Sequence, residues 1–372
     1  MIPQCDPKAA YLRYRSEINE AVSRVLDSGW YILGDEVSQF EVEFASTMGS
    51  CYAVAVGSGT DAIELSLRAC DIGPGDVVLT VANTAVATVA AIVRAGAKPL
   101  FIDIDERTYN MDPSALEMAI GRVPGKRVKA VVPVHLYGLP AKIEAISEIA
   151  GHHGIVVIED CAQAHGASIG SGTVGSFGAF GCFSFYPTKN LGAMGDGGAV
   201  VCQTASQQKT LLALRQYGWV ERYISAHPQG INSRLDELQA AILRVKLPYL
   251  EAANRQRRQL ADAYTAALQG EDRIACPSIP EGCSHVFHQY VIQLADRERI
   301  QQELRQQGVA TAVHYPLPVH RQPAFSSPEL SPFALPNTER VCSRILSLPM
   351  YPELSEQDVM NICQALRHAL RR

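Results

Sequence analysis

Between about residue 50 and residue 205, short apolar runs rich in β-branched residues alternate with longer stretches of helical periodicity. Near-continuous apolar strands joined by helical crossovers are typical of a mostly parallel sheet buried on both faces. The pattern therefore predicts an α/β fold with helices on both faces of a central sheet. The predicted strands are Tyr52–Val56, Val77–Thr80, Pro99–Asp103, Ala130–Val134, Ile155–Glu159, Ala179–Phe185 and Ala199–Cys202. The predicted helices between them are Thr60–Ala69, Ala85–Ala95, Pro113–Ile120 and Ala141–His152.

The segments on either side of this block predict further helices and a second domain. The N-terminal segment predicts one amphipathic helix over Ala9–Ser28 and another near Glu36–Thr47. Ser233–Gln269 predicts one or two helices, with Pro248 at a kink or boundary. From about Ala275 the predicted elements are strand His285–Leu294, helix Arg297–Gln307, a Pro-rich loop Pro316–Pro336 and helices Glu339–Leu346 and Ser355–Leu370. We therefore predict a large α/β domain over residues 1–250 and a smaller C-terminal α+β domain over residues 251–372.

Composition narrows the class of protein. The 372 residues are 47% hydrophobic and 19% charged, with a formal net charge of -5. Such a chain can bury a large core, which excludes a disordered, fibrous or disulfide-stapled protein. This mildly acidic net charge is not typical of proteins that bind nucleic acid or an anionic membrane surface, because those carry an excess of basic residues. Its two charge-poor stretches, residues 77–93 and 161–188, are too polar or glycine-rich to cross a bilayer.

Cysteine usage indicates a reducing compartment. The chain has ten cysteines with no CxxC pair, and several lie in apolar runs. This is typical of buried, reduced thiols and disfavours a metal or redox site. Charged residues occur within the first fifteen residues, before any apolar stretch, so no signal peptide is expected. We predict a cytoplasmic enzyme with no metal.

The first candidate for chemistry is a small-residue turn, Gly57-Ser58-Gly59-Thr60-Asp61, between a predicted strand and a predicted helix. A helix that opens on such a turn presents free N–H groups and the positive end of its dipole, which suits a phosphate. The alternative is an ordinary tight turn with Ser58 or Thr60 as N-cap. The turn matches neither a Walker loop nor the GxGxxG dinucleotide fingerprint.

The second candidate is Asp160, at the end of the apolar strand Ile155–Glu159. Open α/β folds bind their ligands at this carboxyl edge of the sheet. A carboxylate held there needs a cation or several donors, because burying it unpaired is costly. The alternative is an Asp that caps the next turn. Gln163 and His165 add hydrogen-bonding groups to the same segment, which favours a functional site.

The third candidate is Lys189, just past an apolar strand and followed by the glycine-rich run Gly195–Gly198. Most lysines are solvated surface groups. The surroundings here are apolar and glycine-rich, and a desolvated lysine is the type that forms Schiff bases. A phosphate-binding turn, a carboxylate for a ring nitrogen and a Schiff-base lysine together are what pyridoxal 5'-phosphate (PLP) requires.

Four segments in order, GSGTDA, IEDCAQAHGA, FSFYPTKNLGAMGDGGAV and NSRLDELQAA, resemble the DegT/DnrJ/EryC1/StrS family of PLP-dependent sugar aminotransferases. The resemblance runs from about Gly29 to the end of the chain and implies the fold of the fold-type-I PLP enzymes. It implies that Lys189 is the catalytic lysine and that Asp160 pairs with the pyridine nitrogen. It places Gln163 near the ring hydroxyl. The implied phosphate contacts are Gly59, Thr60, Ser184 and, from the other subunit of a homodimer, Asn232.

The resemblance also implies the substrates. It indicates L-glutamate as amino donor, a keto nucleotide sugar as acceptor and ping-pong kinetics. The segment HYPLPVHRQPA resembles relatives that act at C3 of the sugar more than those that act at C4, which remains the alternative. It makes His314, Tyr315 and His320 candidate substrate contacts, and the segment Gly29–Gly34 adds Tyr31. Surface histidines on a rigid Pro-rich loop, and a Tyr31 that packs the N-terminal helix, are the ordinary alternatives.

One departure from the family pattern concerns the ring of the cofactor. Many relatives have an aromatic residue after the Asn-Thr pair, where it stacks on the cofactor, whereas this chain has Ala85. The departure keeps open a non-catalytic PLP-binding sensor as a second hypothesis. A related sugar dehydratase is disfavoured, because the lysine is replaced by histidine in those enzymes.

Overall fold

The computed structural model describes residues 1–123 and 128–371. Within them, a seven-stranded sheet forms the centre of the molecule. Its strands are β1 (Tyr52–Val56), β2 (Val77–Val81), β3 (Lys98–Ile102), β4 (Val128–Val132), β5 (Val156–Asp160), β8 (Phe180–Ser184) and β9 (Gly198–Cys202). Each of the seven strands predicted between residues 50 and 205 is present, with ends that differ by at most two residues.

The strand order is β1-β9-β8-β5-β4-β2-β3. Strand β9 runs antiparallel to β1 and β8, and the other neighbouring pairs are parallel. The carboxyl ends of β1, β5 and β8 therefore lie at the same edge of the sheet. The three sequence motifs that follow these strands meet there.

Helices cover both faces, as predicted. On one face, α4 (Gly59–Ala69), α5 (Val86–Arg94) and α8 (Ala205–Leu214) pack on the strand residues that include Val54 and Val78. The other face is covered by α3 (Asp35–Thr47), α6 (Pro113–Arg122), α7 (Ile143–His153) and α9 (Glu237–Lys246). A sheet buried on both faces explains why its strands read as apolar runs rather than alternating patterns. The sequence pattern did not predict helix α8.

The N-terminal helix is divided, which corrects the prediction of one helix over Ala9–Ser28. Helices α1 (Pro7–Arg13) and α2 (Arg15–Ser28) are separated by Tyr14, whose φ of -114° and ψ of 22° are not helical. The ring of Tyr14 stacks on that of Tyr249 with centroids 4.6 Å apart. This contact comes from a distant part of the chain, so the helical periodicity gave no sign of the break.

The C-terminal part contains α10 (Leu250–Leu268), α11 (Arg297–Gln306), α12 (Pro336–Arg344) and α13 (Glu356–Arg371). Its three-stranded sheet has the order β12 (Ile274–Ala275), β14 (Tyr290–Leu294), β15 (Ile345–Leu348). A 3-10 turn over Leu247–Tyr249 contains Pro248 and confirms the predicted boundary. Two short ladders complete the strands: β6 (Ser168–Ile169) with β7 (Gly172–Thr173) and β13 (Cys283–Ser284), and β10 (Trp219–Glu221) with β11 (Ile224–Ser225).

Two predictions in this part were wrong. The strand predicted over His285–Leu294 begins at Tyr290, because His285 bonds within a turn, where its Nδ1 accepts from Phe287 N at 2.9 Å. The helix predicted over Glu339–Leu346 ends at Arg344, and the apolar residues after it pair with β14 as β15. The division after residue 250 stays a prediction. Ile2 forms a bridge to Val309, so the first residues of the chain contact the C-terminal part.

Two further expectations can be compared with the described residues. Among their helices, none combines the length and the apolar content that crossing a membrane requires. All ten cysteines are free thiols. Five are buried, whereas Cys51 is exposed and the other four are half-buried, so the prediction of buried thiols holds only in part.

Candidate active site

The loop after β8 carries Lys189 to the edge of the sheet. The Lys189 N–H donates to the Tyr186 carbonyl at 2.8 Å, and Phe185 N donates to the Gly197 carbonyl at the same distance. Lys189 lines a pocket of about 250 Å³. The same pocket is lined by Gly59, Thr60, Asp160, Gln163 and Ser184, so the structure brings six of the predicted site residues together.

The electrostatics of Lys189 favour a reactive amine. Burial lowers its pKa to about 8, and the negative charge of Asp160 acts in the opposite direction. A substantial fraction of the amine is therefore neutral and nucleophilic near neutral pH. This agrees with the desolvated lysine that the sequence predicts.

Asp160 ends β5 and is 5% exposed. Burial raises its pKa, whereas hydrogen bonds from Thr88 and Ala162 lower it. Thr88 Oγ1 donates to Oδ2 at 2.8 Å, and Ala162 N donates to Oδ1 at 3.1 Å. The carboxylate thus has one fixed donor on each oxygen. Thr88 was not among the residues singled out in the sequence, because it precedes Asp160 by 72 positions and no local motif links them.

The turn after β1 forms a close-fitting cradle at the start of α4. Ser58 is the N-cap, and its hydroxyl accepts from Asp61 N at 3.1 Å, as the N-cap alternative required. Gly59 and Thr60, the first two residues of α4, line the pocket, and the first N–H groups of a helix lack intrahelical acceptors. A Cβ on Gly59 would lie 2.6 Å from Ser184 Cβ, so only glycine allows this approach. The capping and phosphate-binding interpretations are therefore compatible.

Gln163 is held by two tyrosines. Its Oε1 accepts from Tyr137 N at 2.7 Å, and its Nε2 donates to the Tyr315 hydroxyl at 3.1 Å. Burial raises the pKa of Tyr315 to about 12. Tyr315 therefore stays a neutral phenol beside the pocket.

His314 lies near Lys189 and is neutral at neutral pH. Burial and the charge of Lys189 lower its pKa to about 4, and its Nδ1 is 2.8 Å from Ser347 Oγ. Its carbonyl accepts a hydrogen bond from the Tyr137 hydroxyl. Burial and the charge of Lys189 likewise hold the pKa of His165 at about 3 and that of His288 well below its usual value. The lysine is thus surrounded by neutral imidazoles.

Five predicted site residues do not line this pocket: His314 and Tyr315, described above, and three others. His320 contacts Phe101, and its Nε2 is 3.1 Å from Glu339 Oε1. Tyr31 and Asn232 are both exposed. Their roles remain predictions.

A cluster with metal-ligand chemistry lies behind the site. His135, Glu159 and Cys161 place potential ligand atoms within 4.8 Å of one another. The Glu159 oxygens already accept from three backbone N–H groups at 2.7 to 2.8 Å and lie 3.0 Å from His135 Nε2. Because these bonds occupy the carboxylate, the cluster serves as a brace for the residue next to Asp160.

The residues of the pocket fit pyridoxal phosphate. A glycine cradle at a helix N-terminus, an ionisable carboxylate with free lone pairs and a lysine whose pKa is lowered by burial meet within one cavity. A family model, the DegT/DnrJ/EryC1/StrS aminotransferase family, matches residues 13–367. The chain belongs to this family.

Relatives match over nearly their whole length. The UDP-N-acetyl-3-dehydro-alpha-D-glucosamine 3-aminotranferase of Acidithiobacillus ferrooxidans is 44% identical, covering 99% of this chain and 98% of the relative. The Pleiotropic regulatory protein of Geobacillus stearothermophilus is 43% identical, covering 99% of each. The dTDP-3-amino-3,6-dideoxy-alpha-D-galactopyranose transaminase of Aneurinibacillus thermoaerophilus is 43% identical, covering 98% of this chain and 99% of the relative.

Solved structures agree in fold and cofactor. DesV of S. venezuelae has a TM-score of 0.95 at 40% identity, covering 100% of this chain and 99% of that chain. The ntda protein of Bacillus subtilis, solved with bound cofactor pmp, has a TM-score of 0.89 at 32% identity, covering 97% of this chain and 82% of that chain. The predicted family, fold type and enzyme class, a PLP-dependent aminotransferase, are confirmed.

Ala85 is the residue at which the resemblance led us to expect an aromatic side chain. Ala85 precedes α5 as its N-terminal cap residue and lines the pocket. Tyr186, 54% exposed, is the aromatic residue that the described part of the pocket wall contains. Ala85 itself offers no ring that could stack on a cofactor bound in this pocket.

Proposed function

We propose that this aminotransferase transfers an amino group from L-glutamate to the C3 keto group of a nucleotide-linked deoxysugar. The observation that carries the proposal is the meeting of Lys189, Asp160 and the Gly59 cradle in one pocket. The choice of a C3 keto sugar is supported by the two relatives named above as enzymes, since both are named for a 3-amino or 3-dehydro sugar. We further propose ping-pong kinetics, with one amino group stored on the enzyme between half-reactions.

Each pocket residue has a definite task in this proposal. The cradle at Gly59 and Thr60, with Ser184, would hold the phosphate through N–H and hydroxyl donors. Asp160 would accept the N–H of the pyridine ring and keep that nitrogen protonated. When bound, pyridoxal phosphate supplies an electron sink for the carbon that loses a proton.

Lys189 would both bind the cofactor and move the proton. Its pKa of about 8 leaves Nζ neutral often enough to accept a proton from carbon and charged often enough to return one. Gln163 and Tyr315, fixed by their mutual hydrogen bond, would orient the ring hydroxyl and the substrate beside it. His314, neutral and anchored to Ser347, would offer a hydrogen bond to the sugar without an added charge.

We also propose a homodimer with shared sites. Asn232 is exposed, while the next residue, Ser233, is buried and braces the cradle of its own chain, where its hydroxyl accepts from Gly57 N at 2.9 Å. Apolar side chains are exposed near this segment and support a protein partner there, because such patches usually mark interfaces. They are Trp30 (64%), Tyr31 (49%), Val220 (51%), Tyr223 (71%) and Ile224 (55%). The free thiols support a cytoplasmic location.

The substrate is tested with the purified holoenzyme. Glutamate alone should bleach the absorption of the bound cofactor, and a panel of 3-keto and 4-keto nucleotide sugars should then restore it selectively. Mass spectrometry of the products identifies the position and the nucleotide. A Lys189→Ala variant that still turned over, or amination of the 4-keto sugars alone, would refute the corresponding part of the proposal.

The shared site is tested by mixing inactive subunits. Lys189→Ala and Asn232→Ala chains, unfolded and refolded together, should regain roughly a quarter of wild-type activity, because half of the dimers are hybrids with one intact site. Each variant refolded alone is the control. If each site used only its own chain, the mixture would stay inactive.

The non-catalytic sensor that the sequence left open is disfavoured by the aminotransferase class of the family, although one relative is named a Pleiotropic regulatory protein. That function predicts cofactor binding without release of 2-oxoglutarate from glutamate. One measured turnover of glutamate excludes a purely non-catalytic role.

A further inference from the structure

Two hydroxyl groups connect the pocket wall to Asp160. Thr88 Oγ1 lies 2.8 Å from Asp160 Oδ2 and 2.9 Å from Thr84 Oγ1. Thr88 is 0% exposed and Thr84 2%. An ionised carboxylate only accepts, so Thr88 must give its single proton to Asp160, and Thr84 must then donate to Thr88. The charge on Asp160 thus sets the direction of both hydrogen bonds, from Thr84 to Thr88 and from Thr88 to Asp160.

Thr88 does not use its hydroxyl as helical threonines commonly do. In a helix, the threonine hydroxyl usually bonds a carbonyl three or four residues earlier. Thr88 lies in the first turn of α5 and instead directs its hydroxyl out of the helix, to a carboxylate on β5. The helix therefore delivers a donor to the edge of the sheet.

Asp160 is held by neutral hydrogen-bond donors rather than by a salt bridge. Among the described residues, no Lys or Arg lies within ion-pairing distance of Asp160. The carboxylate instead receives Thr88 on Oδ2 and Ala162 N–H on Oδ1. Each oxygen has two lone pairs, so one on each remains for a further donor from the pocket.

We infer that Thr88 is a positioning residue, oriented by Thr84, that holds the Asp160 carboxylate ionised and aimed at the ring nitrogen of the cofactor. The inference rests on the proposed role of Asp160. A positively charged partner would compete with the pyridine N–H for the carboxylate, whereas a hydroxyl stabilises the charge and leaves it available. Thr84 also lines the pocket, so it connects the pocket wall to the hydrogen bond between Thr88 and Asp160.

The test measures the dissociation constant of pyridoxal phosphate from the apoprotein between pH 5.5 and 8.5. Thr88→Val keeps the shape of the side chain and removes the donor. We expect binding about tenfold weaker at neutral pH, the typical effect of losing a hydrogen bond to a charged group. Removing a donor to the charged form raises the pKa of Asp160, so binding should fail at a higher pH than in the wild type as the solution is acidified.

Thr88→Ser restores the hydroxyl without the methyl group and should bind within about twofold of the wild type. Thr84→Val should have a smaller effect than Thr88→Val, since it acts only through Thr88. Coincident pH curves for Thr88→Val and wild type would overturn the inference. Equal losses in Thr88→Ser and Thr88→Val would also overturn it, because they would indicate a packing role.

Asp160→Asn separates this inference from the proposed function. If Asp160→Asn binds the cofactor with unchanged affinity and pH dependence, the proposed role of Asp160 is wrong. If Asp160→Asn loses binding while Thr88→Val does not, only the inference about Thr88 fails. Thermal unfolding of each apoprotein checks that the variants are folded.

Discussion

Asn254 joins the loop that carries Lys189 to helix α10. Its Oδ1 accepts a hydrogen bond of 2.8 Å from Asn190 Nδ2, and its Nδ2 donates one of 2.8 Å to the His165 carbonyl. Asn190 Nδ2 also donates to the Val286 carbonyl at 2.9 Å. The residue after the lysine is thus tied both to α10 and to the segment before β14. The position of Lys189 therefore depends on contacts from the C-terminal part of the chain.

Replacing Asn254 should loosen the lysine loop. Asn254→Ala removes one buried and one partly buried hydrogen bond and leaves the Asn190 amide and the His165 carbonyl without these partners. We expect the free energy of unfolding to fall by about 2–3 kcal/mol and turnover to fall as well. Denaturant titration and single-turnover kinetics measure the two effects. Asn361→Ala, at an exposed position of α13, is the control and should change neither quantity.

The lowered pKa of Lys189 predicts selective labelling. Its pKa of about 8 means that half of the amine is neutral at pH 8, whereas for an ordinary lysine the neutral fraction is roughly one in 250. Reductive methylation of the apoprotein at pH 8, read by mass spectrometry, should therefore modify Lys189 faster than the exposed Lys209. Equal rates at pH 8 would contradict the prediction.

The same experiment tests the charge of Asp160. The carboxylate raises the pKa of Lys189, so Asp160→Asn should shift the labelling curve of Lys189 to lower pH. Lys246 is the matched control, because burial also lowers its pKa to about 8 but its charged neighbour is Glu353. The curve of Lys246 should stay where it is in the variant.

A side chain on Gly59 should disrupt the phosphate cradle. The added Cβ of Gly59→Ala would meet Ser184 Cβ at 2.6 Å, which forces one of the two segments to move. Such overpacking costs about 1–3 kcal/mol, and we expect a corresponding loss of cofactor affinity. Gly151→Ala provides the control, since its Cβ would have no neighbour within 4 Å. If the cofactor bound Gly59→Ala as tightly as wild type, the cradle would not be the phosphate site.

An aromatic residue at position 85 should strengthen cofactor binding. Ala85 lines the pocket, and Ala85→Phe would place a ring at the position where the resemblance led us to expect an aromatic residue. Aromatic pairs contribute about 0.5–1.5 kcal/mol, so the dissociation constant should fall by roughly two- to thirteenfold. Fluorescence titration of the apoprotein measures it. The control is Val86→Phe at the next, exposed position, which should leave the affinity unchanged.

The sequence predicted the central sheet and the pocket well because both are recorded locally. Each strand of the sheet is an apolar run, and Gly59, Asp160 and Lys189 lie at or just after the ends of strands that finish at the same edge. The order of the strands in the sheet could not be predicted from the apolar pattern, since strand pairing is decided by contacts among residues far apart in the chain. Strand β15 was read as a helix end for this reason: Ile345–Leu348 is apolar in either state, and pairing with β14 decides its conformation.

The sequence by itself determined the α/β class, the family and the three groups that we propose contact the cofactor, because periodicity and short motifs encode them within a few residues. Tertiary structure decided which side chains support those groups. Thr88 reaches Asp160, and Asn254 holds Asn190, through hydrogen bonds between segments 72 and 64 residues apart. It also placed the ring of His320 against Glu339. Such bonds depend on the distance between folded elements, and a linear pattern of polar and apolar positions does not contain that distance.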